Sequence, residues 1–314
     1  MKSDGVEVGI RRNPWKQLST EATNPKSARL DRLGIERIVA LMQAEDRRVL
    51  DALRKARPAI LRAAELFRTT DLSGRTCFLF GAGTSGRLAV LEAAELPPTF
   101  GTDPRRVVAV IAGGHSAVFR AKEGAEDRHA DGARGAAKAR PGDLVIGISA
   151  SSVTPFVRGA LEAARRRGAS TVLVTASRSR EAGRLADVVV RLDVGPEIVA
   201  GSTRLKAGTA TKLALNQITT SALASSGKVF GPWMVDLRAG SAKLRDRALR
   251  IVAAACGVSA ENARRLLARA RGELRTAILM GRAGERYAQA RRRLDRAGGD
   301  LRRALGAEEK RRKR

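Results

Sequence analysis

The chain has 314 residues, enough for one large domain and a smaller one, each with a buried core. It carries 60 Lys and Arg residues against 32 Asp and Glu residues, which gives a formal net charge of +28. The excess is spread along Arg- and Ala-rich segments, and only seven Phe, two Trp and one Tyr could stack on bases. We therefore do not expect nucleic acid as the main partner, and interpret the charge as a solvated basic surface that attracts anionic substrates.

Cysteine and histidine are scarce, with two residues of each type. Two cysteines cannot build a disulfide framework or a zinc site alone, and two histidines are too few for a His-based metal cluster. The N-terminus lacks an apolar leader region, and no apolar run reaches about 18 residues, the minimum for a membrane-spanning helix. We expect a cytoplasmic protein that uses no membrane, metal or cofactor.

The first predicted elements are helical. Residues 1–17 mix glycine, proline and charge without a period, and we expect them to be flexible. Apolar residues recur at helical spacing from Ile35 to about Ala56, and Pro58 is expected to end this helix or to open the next one.

Five short apolar runs follow, and helical segments separate them. They occupy residues 76–80, 107–112, 143–148, 171–175 and 188–192. Short apolar strands that alternate with helices indicate a parallel sheet covered on both faces. The predicted fold class is therefore α/β, with a doubly wound five-stranded parallel sheet.

The C-terminal third is predicted to be helical. One long helix covers about residues 204–224, and the chain is helical again after Asp236, with Ser259 capping a helix through Leu267. Segments near 274–280 and 287–305 complete a small three-helix unit. The predicted divisions are a flexible N-terminus (1–17), the main α/β domain (18–255), a helical bundle (256–305) and a basic tail (306–314).

A glycine-rich loop, G-A-G-T-S-G-R at residues 81–87, follows the first strand. Its candidate ligand-binding residues are Gly83, Thr84 and Ser85. Glycines after a strand let backbone N–H groups approach an anion, and the N-terminus of the next helix favours negative charge. No acidic residue closes the second strand, as a dinucleotide site requires, and the loop lacks the P-loop lysine. Alone, it is equally compatible with a plain strand–helix turn.

Two further polar loops follow later strands. The first, after the third strand, supplies four hydroxyl groups: Ser149, Ser151, Ser152 and Thr154. Helix capping would require only one of them. The second supplies Ser202, Thr203, Arg204 and Lys206, the last two as cationic partners for an anion. Because the carboxyl ends of parallel strands form the ligand crevice, these loops are expected to face one pocket for a phosphorylated sugar.

Two carboxylates lie in tight local contexts and are available for proton transfer. Glu95 stands in A-E-L-P-P-T-F, and Glu126 stands in E-G-A-E-D. The alternative is that both are ordinary surface carboxylates, like their neighbours Glu92, Glu123 and Asp127.

The order of these motifs is more specific than any one of them. The chain reads T-E-A-T-N-P, G-A-G-T-S-G-R-L, E-L-P-P-T-F-G, I-A-G-G, E-G-A-E-D, T-P-F-V, G-S-T-R-L-K-A-G-T-A and S-G-K-V-F-G. From about Leu18 to Leu305 it resembles the N-acetylmuramic acid 6-phosphate etherases, bacterial enzymes with a sugar isomerase (SIS) domain. The glucokinase regulatory protein is a non-enzymatic relative of that family.

The resemblance implies a homodimeric lyase without metal or cofactor, which cleaves the D-lactyl ether of N-acetylmuramic acid 6-phosphate. It implies that Glu95 is the proton donor and Glu126 the second acid or base. Since Glu95 lies roughly 10–12 Å from Ser85 along the predicted helix, we expect it to complete a site across a subunit boundary. The family usually reads A-S-G-R-T-P in the first hydroxyl loop, whereas this chain has Ser152 and Val153 in place of Gly and Arg. Loss of that Arg leaves open a second function, a non-catalytic sugar-phosphate-binding regulator.

Overall fold

The computed structural model describes residues 18, 20–236 and 242–312, so the predicted flexible segment 1–17 lies outside the described residues. Its centre is a parallel sheet with strand order β2-β1-β3-β4-β5. The strands are β1 (Cys77–Gly81), β2 (Val107–Ile111), β3 (Leu144–Ile148), β4 (Ser170–Thr175) and β5 (Val188–Arg191). All five predicted strands are confirmed to within one residue at each end.

Helices cover both faces of the sheet, which explains why every residue of β1 and β3 is buried. Along β1, Cys77 and Leu79 join one hydrophobic cluster, while Phe78 and Phe80 join the other. The first cluster includes α1 (Ile35–Leu72), α2 (Gly83–Phe100) and α5 (Lys206–Leu223). The second includes α3 (His129–Ala136) and α4 (Pro155–Arg166). This alternation confirms the doubly wound α/β class.

Helix α1 continues through Pro58, so the predicted break at this residue is wrong. Proline has no N–H group, and the carbonyl of Arg54 loses its helical partner there. The buried face of α1 is nevertheless continuous, with Leu53 and Ala56 before the proline and Ile60 after it. Packing of this 38-residue helix against the sheet and α5 outweighs one lost hydrogen bond.

The C-terminal unit has its own hydrophobic core. Five helices form the described part of it: α6 (Ala242–Cys256), α7 (Ala260–Arg269), α8 (Leu274–Ala283), α9 (Tyr287–Arg296) and α10 (Leu301–Arg312). Its core starts at Phe230, in a hairpin of β6 (Val229–Phe230) and β7 (Trp233–Met234), N-terminal to the predicted boundary at residue 256. Ser259 Oγ accepts a hydrogen bond from the Asn262 N–H at 3.2 Å, which confirms the predicted cap.

The predicted third helix of this unit is two helices in the structure. Gly298 and Gly299 both have positive φ, which a continuous helix does not allow, and they separate α9 from α10. Helix α10 extends into the predicted tail as far as Arg312, while residues 313 and 314 lie outside the described residues. None of the helices in the described ranges is both long and apolar enough to span a membrane.

Candidate active site

A cavity of about 410 Å³, the main cavity, lies at the carboxyl edge of the sheet. It is lined by Leu18, Thr20, Glu21, Ala82, Ser85, Glu126, Asp127, Ile148, Ala150, Ser151, Val153, Thr154, Pro155, Gly201 and Thr203. The loops that follow β1 and β3 therefore share one pocket, as parallel topology requires. The loop that contains Gly201 and Thr203, together with Leu18, Thr20 and Glu21, closes its other side.

The glycine-rich loop brings the N-terminus of α2 against the sheet. A Cβ at Gly86 would lie 2.5 Å from Cγ1 of Ile111, so only glycine fits this contact. Ser85 lines the main cavity. Gly83 lines a smaller neighbouring cavity, and half-buried Thr84 lies against Gly208 of α5. Of the three predicted residues in this loop, the main cavity thus includes one.

The first hydroxyl loop divides into lining and supporting residues. Ser151 and Thr154 line the main cavity. Ser149 is buried, and its hydroxyl lies 2.8 Å from that of Thr154, so it orients the Thr154 side chain. Ser152 is also buried and has φ 64°, one of two positive values at non-glycine positions in the described chain. The loop therefore keeps a left-handed backbone conformation that favours glycine.

The loop that supplies Ser202, Thr203, Arg204 and Lys206 departs most from its predicted role. Thr203 lines the main cavity, whereas Ser202 is half-buried outside it and Arg204 is exposed. The Lys206 ammonium is 2 % exposed and donates to Glu45 Oε2 at 2.7 Å and to the Pro196 carbonyl at 2.8 Å. Lys206 is therefore a structural cation rather than the predicted anion ligand, because its charge is already paired within the core.

Glu45 is a buried carboxylate beside the candidate site, and the sequence analysis did not single it out. Its carboxylate accepts hydrogen bonds from Lys206, from Asn24 at 2.9 Å and from Lys26 at 3.0 Å. Burial alone raises the pKa of Glu45, but these three donors outweigh burial and lower the pKa to about 2. The available signal was its position four residues before Val49, on the apolar face of α1.

This carboxylate joins two walls of the main cavity. Asn24 follows the cavity segment 18–21, and Lys206 follows the loop that contains Gly201 and Thr203. The same two walls meet directly where the Gly201 N–H donates to the Thr20 carbonyl at 3.1 Å. The walls are therefore held together by a buried charge as well as by the backbone.

Glu126 lies in the main cavity and is anchored through its backbone. Its carbonyl accepts from the Phe156 N–H in the first turn of α4 at 2.9 Å. Helices α3 and α4 also pack without space for a methyl group, since a Cβ at Gly132 would lie 1.8 Å from the Phe156 carbonyl oxygen. The segment that carries Glu126 is thus fixed against the first turn of α4, while its side chain is exposed to the pocket.

Glu95 is not in this cavity. It lies on the exposed face of α2, ten residues after Ser85 and therefore about 15 Å further along the helix. Its neighbour Glu92 faces the core, where it accepts from Lys212 at 2.9 Å and from Thr219 at 2.6 Å. A single chain does not bring the two predicted catalytic carboxylates together.

The electrostatics of the main cavity are unusual for a protein of net charge +28. Three carboxylates, Glu21, Glu126 and Asp127, line it, and no Lys or Arg is among its described lining residues. Any phosphate bound here has to use hydroxyls and the N-terminal N–H groups of α2 and α4. Within the described ranges, no group of His, Cys, Asp or Glu residues is arranged to hold a metal ion.

The strained backbone at Ser152 leads to a stability prediction. Ser152→Gly should raise the free energy of unfolding by about 1 kcal/mol, because glycine adopts φ 64° without a clash of Cβ. Ser151→Gly is the matched control, since φ is not positive at Ser151, and it should give no gain. Denaturant unfolding measures both variants. A Ser152→Gly protein no more stable than Ser151→Gly would contradict the prediction.

Comparison with known proteins identifies the family. The glucokinase regulatory protein N-terminal SIS domain matches residues 60–165, and the SIS domain matches residues 122–221. The N-acetylmuramic acid 6-phosphate etherase of Symbiobacterium thermophilum is 45% identical over 269 residues, which cover 85% of this chain and 90% of the relative. The etherase of Synechococcus elongatus is 46% identical, with 83% and 86% covered.

Among solved structures, a phosphoheptose isomerase from Neisseria gonorrhoeae aligns with a TM-score of 0.44 and 18% identity, covering 60% of this chain and 98% of that one. The two etherases, in contrast, are more than 40% identical over more than four-fifths of the chain, which shows the family. The chain belongs to the N-acetylmuramic acid 6-phosphate etherase family.

Proposed function

We propose that this protein cleaves the D-lactyl ether of N-acetylmuramic acid 6-phosphate, with N-acetylglucosamine 6-phosphate and D-lactate as products. The observation that carries the proposal is the combination in one cavity of the hydroxyl loops, two helix N-termini and the carboxylate of Glu126. Membership of the etherase family supports the same reaction.

The phosphate is bound without a cationic side chain in this proposal. Hydroxyl groups of Ser85, Ser151, Thr154 and Thr203 face the main cavity, and α2 and α4 direct their N-terminal N–H groups to the same edge. Such N–H groups with a favourable helix dipole are an established anion-binding arrangement. Ser149 contributes by orienting Thr154, and Gly83 contributes its backbone.

The reaction is an elimination followed by addition of water. In the ring-opened sugar, the aldehyde makes the C2 proton acidic, so a carboxylate base removes it. A carboxylic acid protonates the departing lactate oxygen as the C3–O bond breaks, and water then adds to the C2–C3 alkene. We assign Glu95 as the proton donor and Glu126 as the second acid or base, because two carboxyls in different environments can divide these roles.

We further propose that the protein acts as a homodimer and that the partner subunit supplies Glu95. Glu95 is exposed on α2, and Leu91, one helical turn before it, is 42% exposed. A single exposed leucine is ordinary on a protein surface, so the support for a shared site is that Glu95 and Glu126 lie apart in one chain. This arrangement would bring together two glutamates that lie apart in one chain.

A non-catalytic sugar-phosphate regulator of the same fold is the alternative from another functional class. It arises from Val153, which lines the main cavity where the family pattern has Arg, but membership of the etherase family favours catalysis. Release of D-lactate from N-acetylmuramic acid 6-phosphate by the purified protein decides between the two. A protein that binds the sugar phosphate and releases no D-lactate would be the regulator.

Glu126→Gln should abolish most of the activity. The substitution keeps the shape of the side chain and removes the titrating group, so turnover should fall by at least about 10²-fold. Binding of N-acetylglucosamine 6-phosphate, measured by calorimetry, should be retained. Glu181→Gln, at an exposed glutamate outside the cavity, is the control and should remain fully active. Near wild-type turnover of Glu126→Gln would remove this residue from the mechanism.

Subunit mixing tests the shared site. Glu95→Gln and Glu126→Gln homodimers should each be inactive, whereas a mixed dimer has one site with both glutamates intact. Random exchange of subunits in a twofold dimer should therefore restore about a quarter of wild-type activity. Two inactive variants that stay inactive after verified exchange would place both carboxylates in the same chain, contrary to our assignment.

Val153→Arg should tighten binding of the phosphosugar. A guanidinium beside a phosphate adds charge-assisted hydrogen bonds worth about 1.5–3 kcal/mol. The change should lie mainly in KM, since the phosphate is remote from C2 and C3. Val39→Arg adds the same charge at an exposed position on α1 and controls for the general field. Equal affinities of the Val153 variant and the wild type, by calorimetry with N-acetylglucosamine 6-phosphate, would show that residue 153 does not reach the phosphate.

A further inference from the structure

A second, smaller cavity of about 190 Å³ adjoins the main cavity, and we call it the alanine pocket. It is lined by Ala82, Gly83, Arg87, Ala112, Ala117, Ala121, Lys122, Glu123, Ala125 and Glu126. Ala82 and Glu126 line both cavities, so the two spaces adjoin at these residues. A ligand that occupied both would pass these residues.

The alanine pocket holds the cations that the main cavity lacks. Arg87 Nε donates to the Val118 carbonyl at 2.8 Å, and Lys122 Nζ donates to the Gly113 carbonyl at 3.0 Å. A guanidinium has five N–H donors and an ammonium has three, so each of these contacts positions the head group and leaves further donors. The backbone at Gly83 is also open, since a Cβ there would meet nothing within 4 Å.

The rest of the pocket is small and apolar. Five of its ten lining residues are alanines, and Ala112, Ala117 and Ala125 among them are buried. Its volume is well below the roughly 300–1,000 Å³ of sites for drug-sized ligands, so it suits a group of only a few heavy atoms. A lining that combines cationic donors with methyl groups matches a short aliphatic carboxylate.

We propose that the alanine pocket is the subsite for the D-lactyl group. The lactyl carboxylate binds Arg87 and Lys122, and the lactyl methyl packs on the alanines. This assignment rests on the proposed etherase function. It places the sugar phosphate in the main cavity and the leaving group in the alanine pocket, so that the ether bond between them lies at Glu126.

The charge balance favours the lactyl carboxylate over the phosphate in this pocket. Glu123 and Glu126 offset the two cations, which leaves the lining without net charge. A monoanion is less strongly repelled than a phosphate dianion by these carboxylates. The hydroxyl loops that suit a phosphate face the main cavity instead.

The test compares a ligand that has the lactyl group with one that lacks it. Arg87→Gln should raise KM for N-acetylmuramic acid 6-phosphate at least about tenfold, as expected for loss of a charge-assisted hydrogen bond. The Kd for N-acetylglucosamine 6-phosphate, measured by calorimetry, should stay within about twofold of wild type. Arg120→Gln, at an exposed arginine next to the pocket residue Ala121 that does not itself line the pocket, should change neither value.

A steric variant keeps the test independent of any folding defect at Arg87. Ala121 is exposed, so Ala121→Leu should fold normally while narrowing the pocket, and it should raise KM for the lactyl substrate selectively. Equal weakening of both ligands by Arg87→Gln, or an unchanged KM in Ala121→Leu, would overturn the subsite. Wild-type protein that releases no D-lactate would overturn the etherase proposal itself, whereas release unaffected by either variant would overturn only the subsite.

Discussion

The buried carboxylate of Glu45 is the contact on which the candidate site depends. Its side chain is 1% exposed, yet it accepts hydrogen bonds from three residues of two different segments. A buried ion pair of this kind contributes little net stability over apolar packing, but loss of one partner leaves an uncompensated charge. The main effect of the Glu45 ion pair is therefore to fix the positions of the segments that it joins. The segment that holds Thr20 and the loop that holds Thr203 keep a fixed relation, and the main cavity has a closed side.

The net charge of the protein is strongly positive, whereas the described lining of the main cavity has carboxylates and no Lys or Arg. A net charge of +28 attracts anionic sugars to the surface over a distance set by salt screening. At the main cavity, neutral hydroxyls and helix N-termini stand in place of Lys and Arg. The cations near this edge, Arg87 and Lys122, line the alanine pocket instead, and Glu126 lines both cavities.

The hydroxyl loop holds an unusual backbone conformation at the edge of the main cavity. Ser152 keeps φ 64°, the conformation that glycine adopts freely, at a cost of about 1–2 kcal/mol for an L-residue. Surrounding contacts impose this conformation, including the Ser152 N–H to Ser149 carbonyl bond at 3.1 Å. Val153, the next residue, lines the main cavity, so this backbone conformation sets which side chain faces the ligand space.

The sequence by itself determined the strands, the fold class and the loops that meet at the cavity. Apolar runs and glycine or serine turns are local signals, and parallel topology places the ends of neighbouring strands together. Tertiary structure alone decided the partners of polar groups. The motif of Lys206 predicts an anion ligand, but its ammonium is paired with the carboxylate of Glu45, which lies 161 positions away in the chain. Pro58 predicts the end of a helix, but α1 continues through it because its buried residues pack against the core both before and after the proline. Glu95 differs from these two, because its spacing from Ser85 along the helix already indicated that it lies away from the loop, and the structure places it on an exposed face. For Lys206 and Pro58 the deciding contacts join residues far apart in the chain, and local pattern does not encode them.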